Sequence, residues 1–171
     1  MIEYQVNREN VTYICKHLRP LDLHEITAEN MTDSIQEIID DTLMAGPLTF
    51  VFGDEDEPIM VVGAAQQSPT RYQVFMYATV KFKTIWKPAT KFIIRGIMPQ
   101  LLAQGMLRAE CRSLETHLPA HEWLEFLGAK FEGVLRANGK NGEDYFLYAW
   151  TRDDVLKRQI PEKRGQAPTE G

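Results

Sequence analysis

The chain is poor in the residues that would fix its class outright. Only two of its 171 residues are cysteine, Cys15 and Cys111, and they form no C-x-x-C spacing. That excludes a disulfide scaffold and points to two buried, reduced thiols, one on a helical pattern and one in a strand-like run. No apolar run approaches the roughly 18 residues needed to cross a bilayer. The opening MIEYQVNREN has polar residues where a signal peptide needs an apolar segment, so the expectation is a protein that is not secreted. Between Pro20 and Thr70 there is no lysine or arginine at all, against eleven acids. Residues 1–19 carry +1 and residues 71–171 carry +5, giving the net −5. Uniform basicity of the kind that grips duplex DNA is therefore absent, and no aromatic platform interleaves the bases, so nucleic acid is not the expected partner.

What remains has the composition of an ordinary globular domain, 44% hydrophobic and 25% charged. Ile2 to Val6 alternates as a short strand. Asn7 then caps a helix whose Val11, Ile14, Cys15 and Leu18 share one face, and Pro20 is read as its stop. A helical turn over Leu21 to Ile26 leads to a helix from Asp33 to Met44, closed by Gly46-Pro47. Leu48 to Phe52 and Ile59 to Ala65 form a hairpin across the acidic turn Asp54-Glu55-Asp56-Glu57. Tyr72 to Phe82 reads as a long strand. A helix is predicted from Ala89 to Gln104 with Pro88 at its first position, and Pro99 is expected to kink it. Leu107 to Leu114 is a strand, Pro119 to Leu127 a helix closed by Gly128, and Phe131 to Ala137 and Tyr145 to Trp150 the last strands. Residues 1–151 are read as one domain and 152–171 as a polar C-terminal tail. Antiparallel hairpins followed by a late βαβ unit imply an α/β (α+β) domain: a mixed, mostly antiparallel twisted sheet with helices on both faces.

That order of elements resembles the fold of the GCN5-related N-acetyltransferases (GNAT). The likeness is carried by the strand through Tyr77, the helix to Leu101-Leu102-Ala103-Gln104-Gly105, the strand Leu107-Arg108-Ala109-Glu110 and the helix ending Trp123-Leu124-Glu125-Phe126-Leu127-Gly128-Ala129. A phage branch, the gene-13-like internal virion proteins of short-tailed phages, is similar through Leu18-Arg19-Pro20-Leu21-Asp22, Val61-Val62-Gly63-Ala64 and Trp123-Leu124-x-x-Leu127-Gly128. The likeness covers roughly residues 2–150. It implies either a virion-associated or morphogenesis protein with a degenerate acetyl-CoA site, residing in the virion or the host cytoplasm beside virion or assembly proteins, or an active acetyl-CoA-dependent N-acyltransferase. In the first case no cofactor is expected; in the second, acetyl-CoA.

Members of the superfamily hold the coenzyme A pyrophosphate on main-chain N–H groups of a glycine-rich turn between the fourth strand and the next helix. Glycine lets the backbone approach phosphate, and the helix N-terminus adds positive charge. Counting back from Gly105 puts Pro88 and Thr90 where glycines are usual, and the stretch from Lys83 to Lys91 contains none. Lys81, Lys83, Lys87 and Lys91 fall at that end and can meet phosphate as point charges. The resemblance thus implies a cofactor-binding set of Val80, Phe82, Lys83, Lys87, Ala89, Thr90 and Lys91. Many members use a tyrosine to reprotonate the leaving thiolate; the matching position is Leu124, beside Trp123. Tyr145 and Tyr148 are the nearby phenols, and Glu110, Asp22 and Glu25 are candidate carboxylate bases. His117 and His121 have i, i+4 spacing but no H-E-x-x-H context, so a surface pair is expected and no metal site.

Overall fold

The computed structural model describes residues 1–159. Seven strands form one sheet: β1 (Ile2–Tyr4), β2 (Thr49–Gly53), β3 (Pro58–Ser68), β4 (Arg71–Ala78), β5 (Arg108–Leu114), β6 (Lys130–Leu135) and β7 (Tyr145–Thr151). Their order across the sheet is β1-β2-β3-β4-β5-β7-β6, and only the β4–β5 pair is parallel. This is the mixed, mostly antiparallel sheet expected from the order of elements, with helices on both faces.

One face carries α1 (Arg8–Lys16) and α3 (Ile35–Met44). Asn7 caps α1 through the Asn10 N–H, and Ser34 caps α3 through that of Gln36. Val11, Ile14 and Cys15 from α1 and Ile38 and Ile39 from α3 are buried against Val51, Val61 and Tyr77. The other face carries α4 (Phe82–Phe92), a wide turn at Ile93–Ile97 and α5 (Met98–Ala103), packed on Phe52, Met60, Val62 and Trp150. The β2–β3 turn is closed by Asp54, whose carboxylate accepts the N–H groups of Asp56 and Glu57. A Cβ at Gly53 would stand 2.0 Å from the Glu57 carbonyl oxygen, so only glycine fits.

Several boundaries differ from the sequence reading. Pro20 opens a ten-residue helix, α2 (Pro20–Glu29), rather than ending the one before it. Its missing N–H costs nothing at a first helical position. The strand before α4 ends at Ala78 rather than Phe82, and Pro88 lies inside α4, not at its start. The amphipathic run from Phe82, with Phe82, Ile85 and Ala89 on the buried side, outweighs the single lost hydrogen bond. Pro99 breaks the regular ladder, as expected: at Ile93–Ile97 the helix widens, and the Met98 N–H bonds the Ile93 carbonyl five residues back. Beyond β5, α6 (Leu118–Phe126) ends at Gly128, whose φ of +90° is the left-handed cap conformation expected there. The chain runs on past Thr151 into α7 (Arg152–Gln159), which buries Val155 in the core. Residues 160–171, the rest of the polar tail, lie outside the described residues. Among the described residues no helix is long and apolar enough to cross a membrane.

Candidate functional site

The parallel pair β4–β5 holds only at Arg71–Arg108, Tyr72–Ala109 and Gln73–Glu110. Beyond Gln73 the two strands part. β4 stays paired with β3 as far as Ala78, and β5 stays paired with β7 as far as Leu114. The gap opens into a cavity of about 510 Å³ that reaches both faces of the sheet. Ala78 turns its N–H and its carbonyl into the gap, so Met76, two residues earlier, faces the same way. No strand stands opposite it, and Met76 lines the cavity. A free strand edge in the middle of a sheet can receive an extended chain.

The wide end of the gap is bridged by α2. Asp22 Oδ2 accepts the Ala78 N–H at 2.7 Å and two bonds from the Arg19 guanidinium at 3.0 and 2.8 Å. One turn on, Glu25 Oε2 accepts the Leu114 N–H at 2.7 Å, the Ser113 hydroxyl at 2.8 Å and His117 Nδ1 at 3.1 Å. Two carboxylates three residues apart on one helix thus satisfy one orphan amide on each parted strand, Ala78 and Leu114. His117 Nε2 lies 3.4 Å from Asp22 Oδ1, which has no hydrogen-bond donor of its own. Both residues are nearly sealed, at 4% and 2% exposure. Burial raises the Asp22 carboxyl above its usual range, and the Arg19 charge and hydrogen bonds oppose that rise. A buried carboxylate oxygen without a donor is a place for a proton or a cation.

His117 and His121 are therefore not a surface pair. His121 is buried against Phe146 and Tyr148, with Nε2 3.0 Å from the Leu114 carbonyl oxygen, and burial lowers its pKa. Glu110 pairs with Arg108 outside the cavity lining, and Arg108 also holds Glu132. Tyr145 is fully buried and donates its hydroxyl to the Glu25 carbonyl; burial raises its pKa. Tyr148 reaches Glu125 at 3.4 Å. Neither Glu110 nor Tyr145 is brought to the gap, whereas Asp22 and Glu25 are.

The proposed cofactor residues divide into two groups. The strand-to-helix turn is Thr79, Val80 and Lys81, so Ala89 and Thr90 are not in it; they lie buried in mid-helix. Thr90 Oγ1 bonds the Trp86 carbonyl and accepts the Trp123 indole N–H at 2.9 Å. Phe82 is buried edge-on to Trp123. Val80 is exposed at the turn, while Lys83, Lys87 and Lys91 follow one another along the exposed face of α4. Lys81 is paired with Glu57. Trp86 is 40% exposed and Phe92 packs on Phe50 and Phe52, so neither plugs the gap. At the position of the family's acidic tyrosine, Leu124 lines the cavity and offers no proton.

His117 was missed because its partners are 92 and 95 residues away in sequence. The available signal was Asp22 and Glu25 at i, i+3 spacing within the helical turn Leu21 to Ile26, which puts two carboxylates on one face but says nothing of a histidine 92 residues further on.

No protein-family model and no curated protein matches the chain. Solved structures do. An acetyltransferase (GNAT family) from Bacillus anthracis is 11% identical, covering 88% of this chain and 94% of its own, with a TM-score of 0.66. A spermidine N-acetyltransferase of Vibrio cholerae is 15% identical over 94% and 100%, at 0.66. AAC(6')-Ib in complex with ribostamycin and coenzyme A is 12% identical over 94% and 97%, at 0.64. The fold is that of the GNAT acetyltransferases.

Proposed function

We propose that the protein is an N-acyltransferase that draws its acyl group from a pantetheine thioester, the class to which acetyl-CoA belongs, and passes it to an amine. The parting of β4 and β5 beyond Gln73, with the Met76 edge open on a cavity of about 510 Å³, carries this reading. An extended pantetheine arm can add to that edge as a strand would, and the Met76 N–H can donate to the thioester carbonyl. Bound there, the thioester supplies an electrophilic carbonyl carbon and a thiol leaving group. The solved acetyltransferases above agree with this choice at the level of fold.

His117 and its carboxylates serve the acceptor. With Glu25 accepting from Nδ1, the Nε2 lone pair is free to take a proton. As the acceptor nitrogen attacks the carbonyl carbon, the C–N bond forms and the C–S bond breaks. The amine proton passes to His117 Nε2, where Asp22 Oδ1 stabilises the imidazolium. Leu124 holds no proton, so the thiolate takes one from solvent.

The test is calorimetry and thermal unfolding with acetyl-CoA and S-acetylpantetheine. A thioester at one hundred times its Kd stabilises by about 2.7 kcal/mol, which raises the Tm by about 5–10 °C in a chain of this size. No heat and no shift with either would overturn the reading.

The glycine-free turn and Leu124 favour a second reading, in which the fold serves as a virion-associated or assembly protein, in the virion or host cytoplasm, with no transfer chemistry. Retained fold and absent thioester binding would support it.

A further inference from the structure

The two ends of a coenzyme A molecule fare differently on this chain. The gap receives a pantetheine arm, but the turn after β4 does not cradle a pyrophosphate. Its amides are largely spent: Thr79 donates to the Ile59 carbonyl, Lys81 to the Thr79 hydroxyl, Phe82 to the Thr79 carbonyl and Thr84 to the Lys81 carbonyl. The Lys81 ammonium is held by Glu57. The antiparallel bridge between Leu18 and Thr79 turns the Val80 N–H toward the His17 carbonyl, so around the turn the Lys83 amide is left without a partner among the described residues, a complement suited to one phosphate rather than two. Beside this spent turn runs an unspent positive stripe. Lys83, Lys87 and Lys91 recur every four residues along about 12 Å of α4, and Arg95 continues the row in the wide turn. All four are exposed, and none pairs with a carboxylate among the described residues. Trp86 stands exposed beside them, with Lys87 Nζ 5.6 Å from its ring centre.

We infer that the acyl donor is an acidic carrier protein bearing an acylated phosphopantetheine arm, docked on the α4 stripe so that its arm enters the β4–β5 gap. This rests on the thioester reading above and replaces the nucleotide end of the donor with a protein surface. Such an arm ends in a single phosphate, which meets the Lys83 amide and ammonium. The carrier's acidic helix lies along Lys87, Lys91 and Arg95, with Trp86 as the apolar contact. The rest of the chain sharpens the choice of face. The acidic turn Asp54-Glu55-Asp56-Glu57 stands beside Lys81, so an acidic partner is confined to the stretch of the row beyond it, from Lys83 to Arg95. Four cations in one narrow row offer few phosphate contacts, so a nucleic acid strand is the less fitting occupant.

The experiment measures binding to the full chain of four probes: a bacterial fatty-acid acyl carrier protein in its acetylated holo form, the same carrier without its arm, acetyl-CoA, and a single-stranded RNA oligonucleotide. The expected result is at least tenfold tighter binding of the holo carrier than of either the arm-less carrier or acetyl-CoA. K87E/K91E is expected to weaken carrier binding at least tenfold, with its melting curve unchanged because both side chains are exposed. Raising salt from about 50 to about 300 mM should weaken it further. If acetyl-CoA or S-acetylpantetheine binds but the holo carrier does not, or if K87E/K91E binds the carrier as the unaltered chain does, the docking inference is wrong and the thioester reading stands. RNA binding that exceeds carrier binding and is lost in K87E/K91E also overturns it. If no thioester binds in any form, both fall.

Discussion

Removing the Glu25 carboxylate should unfasten one side of the gap. Glu25→Ala deletes the acceptor of three donors at once: the Leu114 N–H at 2.7 Å, the Ser113 hydroxyl at 2.8 Å and His117 Nδ1 at 3.1 Å. Ser113 can rotate to another partner, and His117 keeps Asp22 at 3.4 Å. The Leu114 amide has no such recourse, because its strand neighbour on that side is missing. An orphaned buried amide costs about 1–3 kcal/mol, and a lost bond to a charged group about 1.5–3. Allowing for relaxation, the sum is about 3–4 kcal/mol, a large share of the roughly 5–15 kcal/mol that holds a domain folded. For a chain of this size that lowers the Tm by about 6–16 °C. Glu25→Gln keeps an oxygen in the Oε2 position for all three donors but removes the charge that strengthens their bonds, so its expected cost is about 1–2 kcal/mol. Urea unfolding followed by circular dichroism gives both values, with an unchanged denaturant slope confirming that the same structure unfolds. Hydrogen exchange should show the Leu114 amide opening faster in both variants. An alanine variant that melts within about 1 °C of the unaltered chain, with Leu114 still protected, would refute the bridging role.

Other outcomes follow from the same structure. Cys15 is buried, with its thiol pushed up to about 11, and Cys111 is buried with its thiol also pushed upward. Both should resist a thiol reagent at pH 8 until urea unfolds the chain; fast labelling of the native protein would contradict their burial. Asp154 accepts from the Thr151 N–H and hydroxyl and pairs with Lys130, which together lower its pKa to about 2. The folded state therefore holds this proton less tightly than the unfolded chain. The stability it lends is complete above about pH 4 and is lost as the pH falls toward 2, so acid unfolding of Asp154→Asn should be less steep in that window. For His121, burial lowers the pKa, so the folded state resists protonation. Its contribution is intact above about pH 6.5 and declines as the pH drops below that value. An NMR titration should place its imidazole below the pKa of a free histidine, and a normal value would be the contrary result.

Much of the framework was legible in the chain because it rests on local patterns. The cap at Asn7, the face of Val11, Ile14 and Cys15, the acidic turn at Asp54 and the left-handed Gly128 each depend on neighbours within a few residues. Boundaries were misread where a proline was given more weight than the apolar pattern around it. At Pro20 and Pro88 a missing N–H is a small loss beside a buried face, so one proline begins a helix and the other lies within one. The order of strands and helices, and with it the fold class, followed from such local signals added along the chain.

Where β4 and β5 part, and what sits there, was decided only in three dimensions. Pairing ends at Gln73 although both strands continue: α2 crosses the opening, and its Asp22 and Glu25 take the Ala78 and Leu114 amides that strand pairing would otherwise claim. His117 meets those two carboxylates, 95 and 92 residues before it, only in the folded chain. Sequence spacing carries information over a turn or two of helix; a hydrogen bond across the sheet leaves no such trace. Lys81, Lys83, Lys87 and Lys91 were legible as a cluster, but that Glu57 claims Lys81, that Arg95 extends the row, and that most amides of the turn beside them are already bonded was not. Local patterns in the sequence determined the order of strands and helices and with it the mixed α/β class, while tertiary structure decided where the sheet stays open and which side chains face the opening.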